Sequence, residues 1–200
     1  MFYCTLAIAV IIGLKRGGRL SNLAKVKINH PWLAFLSALL DIGLLTLIKN
    51  DFPVTRLIAF TSICFQYLFL FLFLWYNRHI GYTWVIAIGC FLNALVILIN
   101  KGSMPLPELG PYIGKSEFAN TYLLNGKLLT YHIINENTLL WFLGDVIWIP
   151  APFKIFISVG DLVLYAGALL LVQHIIAGKD EKMQNAEAQI EKAQNEEQPV

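Results

Sequence analysis

The chain has 200 residues, of which 57% are hydrophobic and only 14% are charged, and its formal net charge is +2. A soluble globular protein is closer to half apolar, so this chain has too little polar surface to coat a globule of its size. The composition therefore argues against a water-soluble protein and indicates one that uses the lipid bilayer as its solvent.

The first predicted element is the apolar segment 2–14. A helix of this length reaches about 20 Å, which is short of the roughly 30 Å hydrocarbon core. We predict a short, tilted first span with the N-terminus outside. A signal peptide is the alternative, but it needs basic residues before the apolar segment, whereas in this chain they follow it.

A basic segment follows the first span. Its charged residues are Lys15, Arg16, Arg19, Lys25 and Lys27. The positive-inside rule places this segment in the cytoplasm. A short interfacial helix here would also contact anionic lipid, at about 1 kcal/mol per basic residue, although topology determination alone accounts for the charges. Nucleic acid is not an expected partner, because it would need a larger basic face.

Four longer apolar segments complete the membrane part of the chain. They are residues 32–48, 57–76, 82–99 and 159–177. Each is long enough, as a helix, to cross the hydrocarbon core. Alternation of the loops from the basic segment places the C-terminus in the cytoplasm. The sequence therefore predicts an all-α integral membrane protein, a bundle of about five transmembrane helices within residues 1–178, followed by a polar, partly disordered cytoplasmic tail at 179–200.

Three polar side chains lie deep in the predicted spans. Asp41, Gln66 and Asn93 are about 14, 15 and 17 Å from the cytoplasmic ends of their helices, so they share one level near the bilayer midplane. On insertion scales, placing an aspartate at this depth in the membrane costs at least about 2.5 to 3.5 kcal/mol, unless its carboxyl is protonated or paired. One interpretation is a proton- or ligand-binding site. The other, which we favour, is a set of hydrogen bonds between helices.

Residues 100–158 are predicted to form an external cap. Asn125 and Gly126 are the dipeptide that a tight hairpin turn prefers, and a helix ending at Gly126 is the alternative. The apolar stretch 139–149 is too short to span and is halted by Pro150, so we predict a short re-entrant or interfacial helix.

Polar residues near this cap suggest a pocket. Ser158 and Asp161 have the spacing of a capping box, which accounts for Asp161 without a ligand. Asp145 has no structural explanation of equal quality and is the better site candidate. With His132 or Arg56, the two aspartates would line a polar pocket under the 139–149 segment.

The remaining reactive residue types predict no further chemistry. The four histidines show no spacing that would place two on one helical face, and the three cysteines lie unpaired in apolar segments. We therefore expect no metal, no cofactor and no disulfide framework.

Four short motifs resemble those of a known family. They are RGGRLSNLA at 16–24, NKGSMP at 100–105, LGD at 143–145 and SVGD at 158–161. In this order they resemble a family of small bacterial inner-membrane proteins that carry a domain of unknown function, over about residues 1–177. The resemblance implies a multi-pass protein of the bacterial cytoplasmic membrane without an assigned activity.

Three functional hypotheses follow from these patterns. We favour a non-enzymatic membrane protein whose external cap recognises a protein partner or a small ligand. The alternative is a small transporter or permeation-type protein using Asp41, although unequal spans and no detectable inverted repeat argue against it unless the chain forms a homo-oligomer. The third is a membrane-embedded enzyme acting at Asp145 and Asp161, for which no nucleophile with a neighbouring base can be identified.

Overall fold

The computed structural model describes residues 2–108 and 129–178. Within these ranges the chain is mostly helical. Its α-helices are α1 (Phe2–Lys15), α2 (Pro31–Lys49), α3 (Arg56–Tyr76), α4 (Thr83–Ile99) and α5 (Val159–Ile176). The predicted turn at Asn125 and Gly126 and the predicted tail from residue 179 lie outside the described residues.

The long helices have the properties of membrane spans. By length and composition, α2, α3 and α5 could each cross a membrane, whereas α1 and α4 are shorter apolar helices. Large apolar side chains cover their outer faces: Phe35 is 67% exposed, Ile42 61% and Leu57 71%. Because extended apolar surface is unfavourable in water, these faces indicate that the helices contact lipid. They therefore indicate a membrane protein.

Glycines bring α4 and α5 into close contact. A Cβ added to Gly89 would lie 2.7 Å from the backbone of Gly160 and of Leu164, and one added to Gly167 would lie 2.8 Å from the backbone nitrogen of Ile86. Small residues allow helix backbones to approach in this way where lipid supplies little driving force for packing. The α4–α5 pair is therefore sensitive to added side-chain volume.

The helices form two main pairs. Besides α4 with α5, α2 packs against α3, while α1 lies against α5. Between α2 and α3 an apolar cluster contains Leu44, Ile48, Ala59 and Ile63. Contacts between α3 and α4 are sparser than those within either pair. The two pairs can therefore leave space between them.

One end of the bundle collects the loop after α1, the α3–α4 turn and the C-terminus of α5; we call it the basic end. The side chain of Asn77, only 2% exposed, accepts a 2.7 Å bond from the Asn29 N–H and donates a 2.8 Å bond to the Asn29 carbonyl. The Ile176 carbonyl accepts from the Asn22 side chain at 2.8 Å and from the Arg19 N–H at 2.9 Å. The bonds to Ile176 satisfy a carbonyl that the C-terminus of α5 leaves open, and the bonds of Asn77 pair backbone groups in the loop before α2.

The opposite end carries the cap, which contains short strands. β1 (Met104–Leu106) pairs in parallel with β2 (Tyr131–Ile133), and β3 (Ile147–Ile149) pairs antiparallel with β4 (Ile155–Ile157). The all-α prediction therefore missed two small sheets. It holds for the main body of the described chain, which is mostly helical.

The cap also corrects the prediction of one short helix over 139–149. The structure has a three-residue 3₁₀ helix, Trp141–Leu143, and then β3. Leu140 is left-handed (φ 49°) and ends any regular helix there. A Cβ on Gly144 would lie 2.6 Å from the Pro105 carbonyl oxygen, so the chain passes close to β1 at that point. The β-branched residues that follow then pair with β4 instead of continuing a helix.

Candidate functional site

Two cavities lie at the cap end of the bundle. The first, which we call the acidic cavity, has a volume of about 330 Å³. Its polar lining residues are Asp41, Gln66, Tyr67, Asn93, Thr130, Tyr131, Asp145 and Asp161. Its apolar lining residues are Leu44, Leu45, Ile63, Ile97 and Met104.

The acidic cavity lies between the two helix pairs. Asp41 comes from α2 and Gln66 from α3, while Asn93 comes from α4 and Asp161 from α5. Asp145 reaches the cavity from the cap. The structure thus brings the predicted midplane cluster and both predicted cap aspartates around one cavity.

Asp161 is held by hydrogen bonds from two directions. The Asn93 amide donates to its Oδ1 at 2.8 Å, and the Ser158 N–H donates to its Oδ2 at 3.1 Å. In return, the Ser158 hydroxyl accepts from the Asp161 N–H at 2.9 Å, which completes the predicted capping box. A negative charge here also favours the N-terminus of α5. Asp161 is therefore part of a satisfied network.

The Gln66 side chain on α3 interacts with the Asp41 carboxyl on α2. Asp41 is an exposed residue that lines the acidic cavity, so its carboxyl has a protein partner and open space beside it. Asn93 is engaged elsewhere, with Asp161 and with the Ser158 hydroxyl at 2.8 Å. The three predicted midplane residues thus line one cavity, but Asn93 interacts with Asp161 and Ser158, whereas Asp41 interacts with Gln66.

Asp145 differs from the other two aspartates because one of its oxygens has no partner. The residue is 9% exposed, and its Oδ1 is buried without a hydrogen bond. Thr130 Oγ1, on the same cavity, is also buried and unpartnered. Burial, and then the charge of Asp161, raises the pKa of the Asp145 carboxyl to about 7. Both effects disfavour an unpaired negative charge in this position.

The second cavity, which we call the cap cavity, is larger, at about 640 Å³. Its cationic lining residues are Arg56 and Lys101, and its lining also includes His132. Its uncharged polar residues are Asn100, Ser103, Tyr131, Asn135, Asn137 and Thr138. The cavity therefore offers two positive charges and many hydrogen-bonding groups in one place.

In the wall of the cap cavity, His132 lies between two hydroxyl groups. Its Nδ1 lies 2.8 Å from Ser103 Oγ and its Nε2 lies 3.2 Å from Thr138 Oγ1. Burial, and then the nearby charge of Arg56, lowers the pKa of His132, and both effects favour the neutral ring.

The Ser103–His132 contact has the spacing of a nucleophile and its base. The Ser103 hydroxyl, however, also donates a 2.9 Å bond to the Asn100 carbonyl, and one proton cannot serve both acceptors. The far nitrogen of His132 meets a threonine hydroxyl rather than the carboxylate that would orient a catalytic histidine. We interpret this contact as a hydrogen-bond chain that holds the cavity wall.

The polar pocket predicted from sequence is divided between these cavities. Arg56 and His132 line the cap cavity, whereas Asp145 and Asp161 line the acidic cavity. Tyr131 lines both, and sequence reasoning missed it. The signal for it was weak: Tyr131 precedes His132 in β2, and neighbouring strand residues face opposite sides. Lys101 and Thr130 were also missed, and no sequence pattern marks either.

The basic segment packs against the end of α5. Arg16 donates a 3.0 Å hydrogen bond to Gln173 Oε1, and Arg19 reaches the Ile176 carbonyl through its backbone. Lys15, Lys25 and Lys27 are exposed residues. Contact of this segment with anionic lipid stays a prediction. Among the described residues, no group of three or more His, Cys, Asp or Glu side chains is placed to hold a metal ion.

Comparisons with known proteins place the chain in a family without assigning it an activity. A family model described as a family of unknown function (DUF5317) matches residues 25–173. The motif at 16–24 precedes the matched residues. Neither the curated proteins nor the solved structures include a match to the chain. Since the family model covers most of the sequence, the chain belongs to this family of unknown function, DUF5317.

Proposed function

We propose that this protein is a multi-pass protein of the bacterial cytoplasmic membrane whose cap binds a small anionic solute in the cap cavity. The observation that carries this proposal is that Arg56 and Lys101 both line one cavity of about 640 Å³. This volume is within the range of roughly 300 to 1,000 Å³ that is typical of small-molecule sites. The surrounding amides and hydroxyls would orient the solute.

The position of Arg56 supports a ligand-directed role for its charge. Arg56 is the first residue of α3, directly after the N-cap Thr55. A cation at a helix N-terminus is electrostatically unfavourable, by about 0.3 to 1 kcal/mol at exposed sites. The guanidinium has no carboxylate partner among the described residues. Its charge therefore does not stabilise the helix that carries it, and it remains available to an anion.

The backbone conformation at position 101 also disfavours the lysine that is found there. Its backbone is left-handed (φ 57°), immediately after the C-cap of α4. Glycine or asparagine usually fills such a position, because a Cβ there costs roughly 1 to 2 kcal/mol. The charge of Lys101 suits the C-terminal end of α4, and it adds a second cation to the cap cavity.

The membrane arrangement is part of the same proposal. We infer five spans, α1 to α5, with the basic end in the cytoplasm and the cap outside. The support is that the segment carrying Lys15, Arg16 and Arg19, at the end of α1 and in the loop after it, lies at the basic end together with the α3–α4 turn, opposite the cap. Basic residues accumulate on the cytoplasmic side of membrane proteins. The cap cavity would then face external solutes.

Titration calorimetry on the full chain in nanodiscs tests the binding proposal. The probes are small carboxylates and phosphate esters, with uncharged sugars of similar size for comparison. We expect saturable binding of at least one anion and at least tenfold weaker binding by Arg56→Gln. The matched control is Arg78→Gln, because Arg78 lies in the α3–α4 turn over the Trp75 ring, 4.3 Å from its centroid. Equal binding by both variants, or binding by no anion, would contradict the proposal.

Transport is the second candidate function, and one observation favours it. The acidic cavity extends from Asp145 in the cap to Asp41 within α2, so it leads from the cap into the helix bundle. In proteoliposomes, Asp41 would serve as a proton site, so transport predicts proton-coupled uptake of the bound anion that is lost in Asp41→Asn while calorimetric binding is retained. Binding without uptake in the unaltered protein would leave only the recognition function.

A further inference from the structure

The acidic cavity has the features of a second binding site, separate from the cap cavity. Its three carboxyl groups come from three parts of the fold: Asp41 from α2, Asp161 from α5 and Asp145 from the cap. Among the described residues, no cationic side chain lines this cavity. The three carboxyl groups therefore face a shared space without a compensating positive charge from the described residues that form its wall.

Two side-chain oxygens of residues that line this cavity lack a hydrogen-bond partner. Asp41 interacts with Gln66, and Asp161 accepts hydrogen bonds from Asn93 and from the Ser158 N–H. In contrast, Asp145 Oδ1 and Thr130 Oγ1 are buried without any partner. A buried polar atom left unpaired typically costs about 1 to 3 kcal/mol, and more if it is charged. A bound group carrying both positive charge and N–H donors would satisfy the Asp145 carboxylate.

The rest of the wall indicates the shape of such a ligand. Tyr67 and Tyr131 contribute aromatic rings, and the aliphatic residues Leu44, Ile63 and Ile97 line the same space. Aromatic faces attract ammonium ions, and aliphatic walls favour an apolar body. The described residues offer no set of side chains spaced for metal coordination. An organic cation suits this lining better than a chelated metal.

We propose that the acidic cavity binds a small primary ammonium ion with an apolar body, its N–H groups directed at the side chains of Asp145 and Thr130. An ammonium group has three donors and no acceptor, which matches a wall that holds unpartnered acceptors. The volume of about 330 Å³ limits the ligand to a compact molecule. This site does not depend on the anionic solute proposed for the cap cavity.

The test is titration calorimetry on the full chain in nanodiscs, with empty nanodiscs as the blank. The probe is phenethylamine, which is protonated at neutral pH, and 2-phenylethanol is its uncharged comparison. We expect saturable binding of one phenethylammonium per chain and at least tenfold weaker binding of the alcohol. Asp145→Asn should weaken the ammonium at least tenfold, whereas Asp51→Asn, in the loop between α2 and α3, should not.

Thr130→Val is a second variant of the acidic cavity, and it tests the proposal even if Asp145→Asn fails to fold. The valine keeps the shape of the side chain, and the hydroxyl that it removes has no partner to lose. We expect this variant to bind phenethylammonium several-fold more weakly. The proposal is overturned if there is no saturable binding, if the alcohol binds as tightly, or if neither cavity variant weakens binding. Arg56→Gln should leave ammonium binding unchanged, so the two proposed sites can fail independently.

Discussion

Asn93 on α4 donates a 2.8 Å hydrogen bond to Oδ1 of Asp161 on α5. The same Asn93 side chain accepts a 2.8 Å bond from the Ser158 hydroxyl. One amide thereby joins two helices and supports the capping box that begins α5. Because Asn93 and Asp161 both line the acidic cavity, the contact also fixes one of the three cavity aspartates.

Replacement of Asn93 should lower the stability of the protein, because this contact is lost. In Asn93→Leu, the Asp161 carboxylate loses a donor and the Ser158 hydroxyl loses an acceptor. We expect a loss of about 1 to 3 kcal/mol of stability, since buried polar groups are left unpaired. Thermal unfolding in detergent measures it. Thr61→Val is the control, because the Thr61 hydroxyl bonds only to backbone carbonyls of its own helix; an equal loss in both variants would contradict the prediction.

Two glycine-to-alanine changes should have opposite effects. In Gly160→Ala the new Cβ would lie 2.0 Å from Asn93 Oδ1 and 2.8 Å from the Gly89 carbonyl oxygen, so α4 and α5 must separate. We expect destabilisation by roughly 1 to 3 kcal/mol. In Gly43→Ala the Cβ meets nothing within 4 Å, so helix propensity alone should stabilise α2 by about 0.5 to 1 kcal/mol. Midpoints of thermal unfolding that shift in the same direction would refute the packing argument.

Asp145 should make stability depend on pH. Its folded-state pKa of about 7 is above the ordinary value of 3.8, because of burial and then the charge of Asp161. Between these values the folded protein holds a proton that the unfolded chain has released, so stability should fall as pH rises from about 4 to about 7. Each pKa unit corresponds to about 1.4 kcal/mol.

Thermal unfolding at several pH values checks this sign. The contribution of Asp145 is the difference between the unaltered protein and Asp145→Asn, because other carboxyl groups titrate in both. The asparagine variant should gain relative stability as pH rises through this range and keep that gain above pH 7. A difference that stays constant with pH would show that Asp145 does not carry the shifted pKa.

The proposed orientation predicts which loops a membrane-impermeant thiol reagent can reach. In a background with Cys4, Cys64 and Cys90 changed to alanine, Glu136→Cys in the cap should react in intact cells. Ser21→Cys in the basic segment should react only after the membrane is permeabilised. The reverse pattern would invert the proposed topology and place the cap cavity in the cytoplasm.

Much of the helical framework could be predicted from local patterns. The apolar segments 57–76 and 159–177 correspond closely to α3 (Arg56–Tyr76) and α5 (Val159–Ile176). The capping box of Ser158 and Asp161 was also predictable, because it depends on residues three positions apart. The cap was harder to predict. Leu140 and Gly144 interrupt an apolar run whose composition alone does not distinguish a helix from a strand.

The sequence by itself determined the apolar helices, the capped start of α5 and the presence of aspartates with no obvious structural role. These follow from interactions within a few residues of chain. Only the tertiary structure decided that Asp41, Asp145 and Asp161 share one cavity while Arg56 and His132 line another. The physical reason is that these residues are far apart in the chain. They meet only when α2 and α3 pack beside α4 and α5 with the cap against them, and no local pattern encodes that packing.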